Sequence, residues 1–256
     1  MKATDEQGAY HHSIRLNRER NRTLRTLIRI TITAVVLFAT KLNGATATVG
    51  FNSLPTAQGW TYVGNVPEAN VFSLAGGVLS QNSIGTPDRN YYQLSAIDPS
   101  LPFSVSFRGR MLQEEFGTPV SGFGFGVEVD LLSQTFIMGL GTTRIVAIQP
   151  GGSSVITTSI DTSQFHDYLF TGNPANSSWQ AFVDGTLIGS GTARLGEFGP
   201  AATISFGDLS SAVNARGEWT QFAFTQVPEP STVAFAGLGA LALLTRLIGA
   251  RHKRRV

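Results

Sequence analysis

Glu128 and Asp130 stand two residues apart in the segment Gly122–Leu132, GFGFGVEVDLL. In an extended strand, successive side chains point to opposite faces. Phe123, Phe125, Val127 and Val129 then share one face, which reads as core. Gly124, Gly126, Glu128 and Asp130 share the other, two carboxylates beside a flat glycine surface. Carboxyls on one sheet face can divide acid and base work when their surroundings push their pKa values apart. They can equally bind a sugar or an ion, or stand as exposed strand residues with no role.

The remaining chemistry-bearing residues are sparse. Cysteine is absent, which excludes disulfides, thiolate zinc sites and cysteine nucleophiles. His166 is the sole histidine between Thr48 and Pro230, so no His-based metal cluster and no His-Glu-x-x-His motif can form there. It is expected to be a structural strand residue. Trp60, Trp179 and Trp219 could stack on sugar rings, but tryptophan in strands is expected in the core. No nucleotide-binding loop and no Gly-x-Ser-x-Gly elbow occurs in context. No metal ligand set is found.

The elements that must position Glu128 and Asp130 are strands. The chain has 256 residues, enough for one sizeable domain plus extras, and 28 of them are glycine, above the usual share. From Phe51 to Thr225 no stretch shows helical periodicity. Short alternating segments recur instead, separated by Gly, Pro, Asn and Asp. They include residues 70–74, 89–97, 103–112, 122–132, 143–148, 165–171, 179–184, 203–206 and 219–225. Asp184-Gly185 between WQAFV and TLIGSG marks a hairpin. The pattern predicts an all-β, antiparallel two-sheet jelly-roll sandwich over residues 48–226.

The charge is unevenly spread. Residues 48–230 hold six arginines, no lysine and fourteen acids, a net of −8. Such a module has no electrostatic footprint for nucleic acid. The remaining basic residues flank two apolar segments, where membrane topology signals lie. Arginines 15 to 29 precede the uncharged run Ile30–Thr40, and Ala45-Thr46-Ala47 follows. That is a signal peptide over residues 1–47, with Ala45 and Ala47 as the small residues before the cut and the Sec translocon and signal peptidase as partners. Residues 233–250 are apolar apart from Arg246 and long enough, at ~27 Å, for a transmembrane helix. Arg251, Lys253, Arg254 and Arg255 follow. Both basic flanks predict a cytoplasmic side, with the domain outside.

Residues 227–256 carry a resemblance. Val227-Pro228-Glu229-Pro230-Ser231, then a Gly/Ala/Leu helix, then a basic tail, resemble the PEP-CTERM sorting signal. The resemblance implies export in a Gram-negative bacterium. It also implies transient inner-membrane anchoring, cutting by an exosortase, and a final place on the cell surface or in the matrix, commonly with exopolysaccharide in biofilms. Arg246 enters before the helix is full length, a departure that bears on where the chain leaves the membrane. Two prolines keep the motif extended and open to a protease.

The middle resembles concanavalin A-like and laminin-G-like jelly rolls. The residues that carry this are Gly76-Gly77-Val78-Leu79, Pro102–Phe107, Phe165–Tyr168, Trp179–Gly185 and Trp219–Phe224. Glu128-Val129-Asp130-Leu131 resembles the first half of the E-[I/V]-D-x-x-E motif of laminarinase-type glycoside hydrolases. There the first Glu is nucleophile, the Asp assists and the last Glu is acid/base. Here the last position is Ser133, so the proton donor is missing, and Glu114 or Glu115 could replace it only through the fold. The fold also leaves room for one calcium held by carbonyls and Asp98, Asp161 or Asp208, without locating it. The sequence therefore points to a non-enzymatic surface or matrix protein that binds exopolysaccharide or another matrix glycan. The alternative is an unusual glycoside hydrolase using Glu128, with Asp130 beside it.

Overall fold

The computed structural model describes residues 45–86, 88–95, 97–116, 123–196 and 199–226. The expected signal peptide as far as residue 44 of its 1–47, the sorting motif Val227–Ser231 and the expected transmembrane segment 233–250 lie outside the described residues. Among the described residues no helix is long and apolar enough to cross a membrane. Residues from Gly44 to Glu229 form a unit with its own core.

The strands, in chain order, are β1 (Thr46–Val49), β2 (Thr61–Gly64), β3 (Phe72–Ala75), β4 (Val78–Asn82), β5 (Asn90–Ser95), β6 (Phe103–Phe116), β7 (Gly126–Asp130), β8 (Gln134–Gly141), β9 (Arg144–Gln149), β10 (Gly152–Thr157), β11 (His166–Asn173), β12 (Ser178–Val183), β13 (Thr186–Thr192), β14 (Arg194–Leu195), β15 (Thr203–Asp208) and β16 (Val213–Gln226). They build two eight-stranded antiparallel sheets. The first runs β13-β12-β11-β6-β16-β4-β3, with β1 also on β16. The second runs β10-β9-β8-β7-β15-β5-β2, with β14 also on β8. This is the expected jelly-roll sandwich.

Between the sheets lies an aromatic core. Trp219 stacks on Phe125 with ring centroids 4.0 Å apart, and Phe206 packs on Phe222 at 4.3 Å. Trp60, Trp179 and Trp219 are all buried, as strand tryptophans were expected to be. A side chain on Gly217 would collide with the Phe125 ring, so this glycine is what lets the central stack close. The Asp184-Gly185 hairpin forms as read, joining β12 to β13 with both residues at positive φ. Gly76 and Gly77 likewise form the turn from β3 to β4.

One margin of this space is polar: Gln81 and Asp208 are buried there with Ser83 and Asn90. Ser83 and the Ser210 amide hydrogen-bond to Asp208, while its Oδ2 has no partner. Burial pushes the Asp208 carboxyl up to about 8, against the opposing pull of those hydrogen bonds. At the opposite end of β16, the Gln226 side chain accepts from the Asp98 amide and donates to the Asp98 carbonyl. Its amide donates to the Ala45 carbonyl. Ala45 and Ala47 thus sit at and within β1, packed against the core, and the sheet begins two residues before position 48.

Candidate functional site

Five strands, β5, β7, β8, β14 and β15, bring the site together on the outer face of the second sheet. In β7, Val127 and Val129 point into the core, so Glu128 and Asp130 take the other face, as the alternation predicted. Register places Ser205 of β15 opposite Glu128 on one side and Ile137 of β8 on the other. Asp130 is flanked in the same way by Thr203 and Thr135. Gln93 of β5 lies beyond Ser205, and its amide donates to the Ser205 and Thr203 hydroxyls. Arg89 leads into β5. Arg194, in β14, pairs opposite Thr135.

Together these residues line a groove of about 420 Å³, walled by Tyr91, Phe123, Ile148 and Leu209. That volume falls in the ~300–1,000 Å³ range of small-ligand sites. Glu128 is hydrogen-bonded to Asp130 and is held well above the usual carboxylate range. Burial is the main cause and the Asp130 charge the second; Arg89 and Arg194 pull in the opposite direction. The two carboxyls are therefore not both ionised at neutral pH. Two buried polar atoms on the groove's floor, Asp130 Oδ1 and Thr135 Oγ1, have no protein partner. Buried polar groups normally have one.

The structure corrects the expected neighbourhood of the pair. β7 starts only at Gly126, and the chain bends at Gly124–Phe125. Phe125 enters the inter-sheet core, but Phe123 crosses to the outer face and packs with Ile137, Val146 and Leu209. Its ring lies directly on Gly139 and close to Gly126. The expected flat glycine surface is thus covered. Gly124 instead packs against the backbone of Val213 and Asn214.

None of the three positions weighed for a proton donor, Ser133, Glu114 and Glu115, stands in the groove. Ser133 lies beyond the end of β7, past Leu132 at positive φ, and its carbonyl accepts from the Gly196 amide. Glu114 is locked by Arg144, whose Nη2 reaches Oε1 at 2.7 Å, and by the Thr142 amide. Glu115 accepts from the Gly85 amide. Neither glutamate lines the groove.

The other candidates are structural. His166 Nδ1 meets Asp184 Oδ2 at 2.6 Å, and Nε2 meets the Asp161 carbonyl at 3.0 Å. Asp98 and Asp161 cap local turns through Ser100 and Ser163. Asp208 stands apart from them, buried at the end of β15. Among the described residues no group of three or more His, Asp or Glu side chains gathers as a metal site. Sequence reasoning missed Arg89, Arg194, Gln93 and Ser205, since no local signal links residues brought together only by register.

Known proteins give two kinds of likeness. Residues 226–255 match the PEP-CTERM protein-sorting motif. No curated protein matches the chain by sequence. By structure, the domain is similar to a carbohydrate esterase from the Shiga toxin-encoding bacteriophage phi24B, at 11% identity and a TM-score of 0.51. That match covers 73% of this chain and 100% of the other. A Bacillus licheniformis β-glucanase is 13% identical, with a TM-score of 0.45 over 73% of this chain and 99% of that one. A sialidase is 13% identical, with a TM-score of 0.49 over 74% of this chain, which spans 19% of the sialidase. At such identities the likeness speaks of fold alone.

Proposed function

We propose that this chain, which carries the PEP-CTERM motif of an exosortase substrate, is an exported surface or matrix protein that binds glycan in the outer groove of its second sheet. One observation carries the binding reading. The groove floor holds Asp130 Oδ1 and Thr135 Oγ1 without protein partners, next to the hydroxyls and amide of Ser205 and Gln93. A row of alternating acceptors and donors on a sheet face suits the hydroxyls of a sugar ring. The two orphaned oxygens lie just beneath the groove surface, and a ligand hydroxyl or water would reach them only with a small shift of the side chains above.

A glycoside hydrolase remains the second reading, because a carboxyl held protonated at neutral pH is what a general acid requires. Against it stands the arrangement. A retaining pair sits ~5–5.5 Å apart and an inverting pair ~6.5–9.5 Å apart, leaving room for the sugar or a water. Asp130 is Glu128's neighbour on the same strand, and neither Glu114 nor Glu115 lines the groove to stand opposite it.

The test uses the protein with exopolysaccharide from its producing organism. Co-sedimentation should retain the protein, and no oligosaccharides should appear in the supernatant. Glu128→Gln and Asp130→Asn should each weaken retention by roughly tenfold. Released oligosaccharides that vanish in Glu128→Gln would establish the hydrolase. Absence of both retention and products would end the glycan reading. Export implies a second expectation, removal of the signal peptide; a cut after Ala47 would take Thr46 and Ala47 out of β1 and Ala45 from its bond to Gln226, and N-terminal sequencing of the surface protein locates the cut.

A further inference from the structure

We infer that the groove takes a sugar carrying a methyl group, with the methyl seated on the aliphatic wall of Ile137 and Ile148 and the neighbouring hydroxyls on Gln93 and Ser205. This rests on the glycan-binding reading above and adds the chemical class of the ligand.

A single register row crosses the groove. Gln93 of β5 stands opposite Ser205 of β15, Ser205 opposite Glu128 of β7, and Glu128 opposite Ile137 of β8. Ile148 lies on β9, the next strand of the sheet. The row is polar as far as Glu128 and aliphatic beyond it. Phe123 and Leu209 pack with Ile137 in one outer cluster and extend the aliphatic side. The groove is thus divided across its width, with hydrogen-bonding side chains on one side and hydrocarbon on the other.

Each side limits the ligand. Gln93 donates to the Ser205 and Thr203 hydroxyls, which leaves its own carbonyl and the protons of those hydroxyls for a guest. An acceptor and donors so close together suit the hydroxyls of a sugar. The aliphatic side offers no flat platform for a sugar ring. All three tryptophans are buried in the core, and the Phe123 ring already lies against Gly139. Tyr91 stands two residues before Gln93 on β5, across the groove from Ile137 and Ile148. What remains open on the aliphatic side is Ile148, half-buried at the margin of the cluster. A hydroxyl set against that wall would give up its water without gaining a partner. A methyl set there leaves water and loses no hydrogen bond. The methyl of a deoxyhexose and the methyl of an O-acetyl group share this chemistry, and both stand next to ring hydroxyls.

The full chain in detergent is co-sedimented with exopolysaccharide from the producing organism, native and after mild alkaline removal of O-acetyl groups. Free L-rhamnose and L-fucose are compared as competitors with L-mannose and L-galactose, which differ from them only by a hydroxyl in place of one methyl hydrogen. Removing one methyl from water is worth about fourfold in affinity. A fall in retention of about fourfold or more on de-acetylation identifies the acetyl methyl. Retention that survives de-acetylation, with a deoxy sugar competing about fourfold or more better than its counterpart, identifies the deoxyhexose methyl. In either case Ile148→Thr, which sets a hydroxyl on the wall, should abolish the preference without weakening retention of the form that lacks the methyl. Ile148→Leu should keep the preference. Unchanged thermal unfolding in both variants separates loss of recognition from loss of fold. Retention indifferent to de-acetylation, with no advantage for either deoxy sugar, overturns the proposal and leaves the glycan reading standing. A preference that persists in Ile148→Thr overturns it as well. No retention on the native exopolysaccharide overturns both readings.

Discussion

At the residue scale, two carboxyls of this domain are out of their ordinary ionisation range for the same reason. Glu128 and Asp208 both lose hydration on folding, and neither gains a cation in direct contact to repay it. They differ in setting. Glu128 opens onto the groove beside a second carboxyl, whereas Asp208 is fully buried between the sheets. For Asp208 the folded value of about 8 lies above the 3.8 of an ordinary aspartate. Between those values the unfolded chain has released the proton and the folded one still holds it, so its contribution to stability is whole below about pH 4 and is lost as pH rises through about 8. Asp208→Asn removes this dependence. Urea unfolding should show the variant gaining on wild type from pH 4 to pH 8, by roughly 2–5 kcal/mol at the upper end. A constant difference across that range would mean that Asp208 does not hold its proton in the fold. By contrast, Glu114 is nearly as hidden, with 1% of its side chain exposed, but has a bidentate partner in Arg144.

At the element scale, β8 explains why the groove has the shape it does. Every position from Thr135 to Gly141 is buried, though the strand lies in a sheet with one face outward. The inward residues Phe136, Met138 and Leu140 belong to the core. The outward Ile137 and Gly139 are covered by Phe123, which arrives there through the bend before β7. The alternating period that reveals a half-exposed strand is therefore erased in β8, and the sequence reading left it without a strand. The Phe123 ring also ends the groove on that side. An added Cβ at Gly139 would lie within the ring, so Gly139→Ala must displace Phe123. Overpacking of this kind costs about 1–3 kcal/mol, which should lower Tm by roughly 2–10 °C in a thermal melt. The same substitution should alter glycan binding through the moved wall, with Glu128 and Asp130 left in place. A variant with wild-type Tm would show that Phe123 is not held against this glycine.

At the scale of the whole molecule, the sorting motif and the proposed binding groove lie in separate parts of one chain. Residues 226–255 carry the sorting motif, and Gln226 is at once its first matched residue and the last residue of β16. The clamp from Gln226 to Asp98 closes the domain at the first residue of the motif. Cutting downstream of Gln226 would leave every strand of both sheets intact. Mass spectrometry of the protein from the cell surface should find no peptides from residues 238–246, while whole-cell precursor should contain them. Recovery of those peptides in the mature surface form would show that the tail is retained.

The sequence alone determined the class and the address of this protein. Alternation, turn residues such as Asp184-Gly185 and the absence of helical periodicity follow from local backbone preferences, and those are written in short windows. The Pro-Glu-Pro motif, apolar run and basic tail are contiguous too. The facing of Glu128 and Asp130 was legible because a strand's period of two forces it. The tertiary structure decided what surrounds them. Strand register set Gln93, Ser205, Thr135, Arg89 and Arg194 around the pair, from segments as far apart in sequence as residues 89 and 205. A bend of two residues moved Phe123 across the sheet and covered the glycine floor. Burial then raised the proton affinity of Glu128, and it sealed Asp208 without a cation. Desolvation and register are properties of the assembled sheets, so no single stretch of sequence contains them.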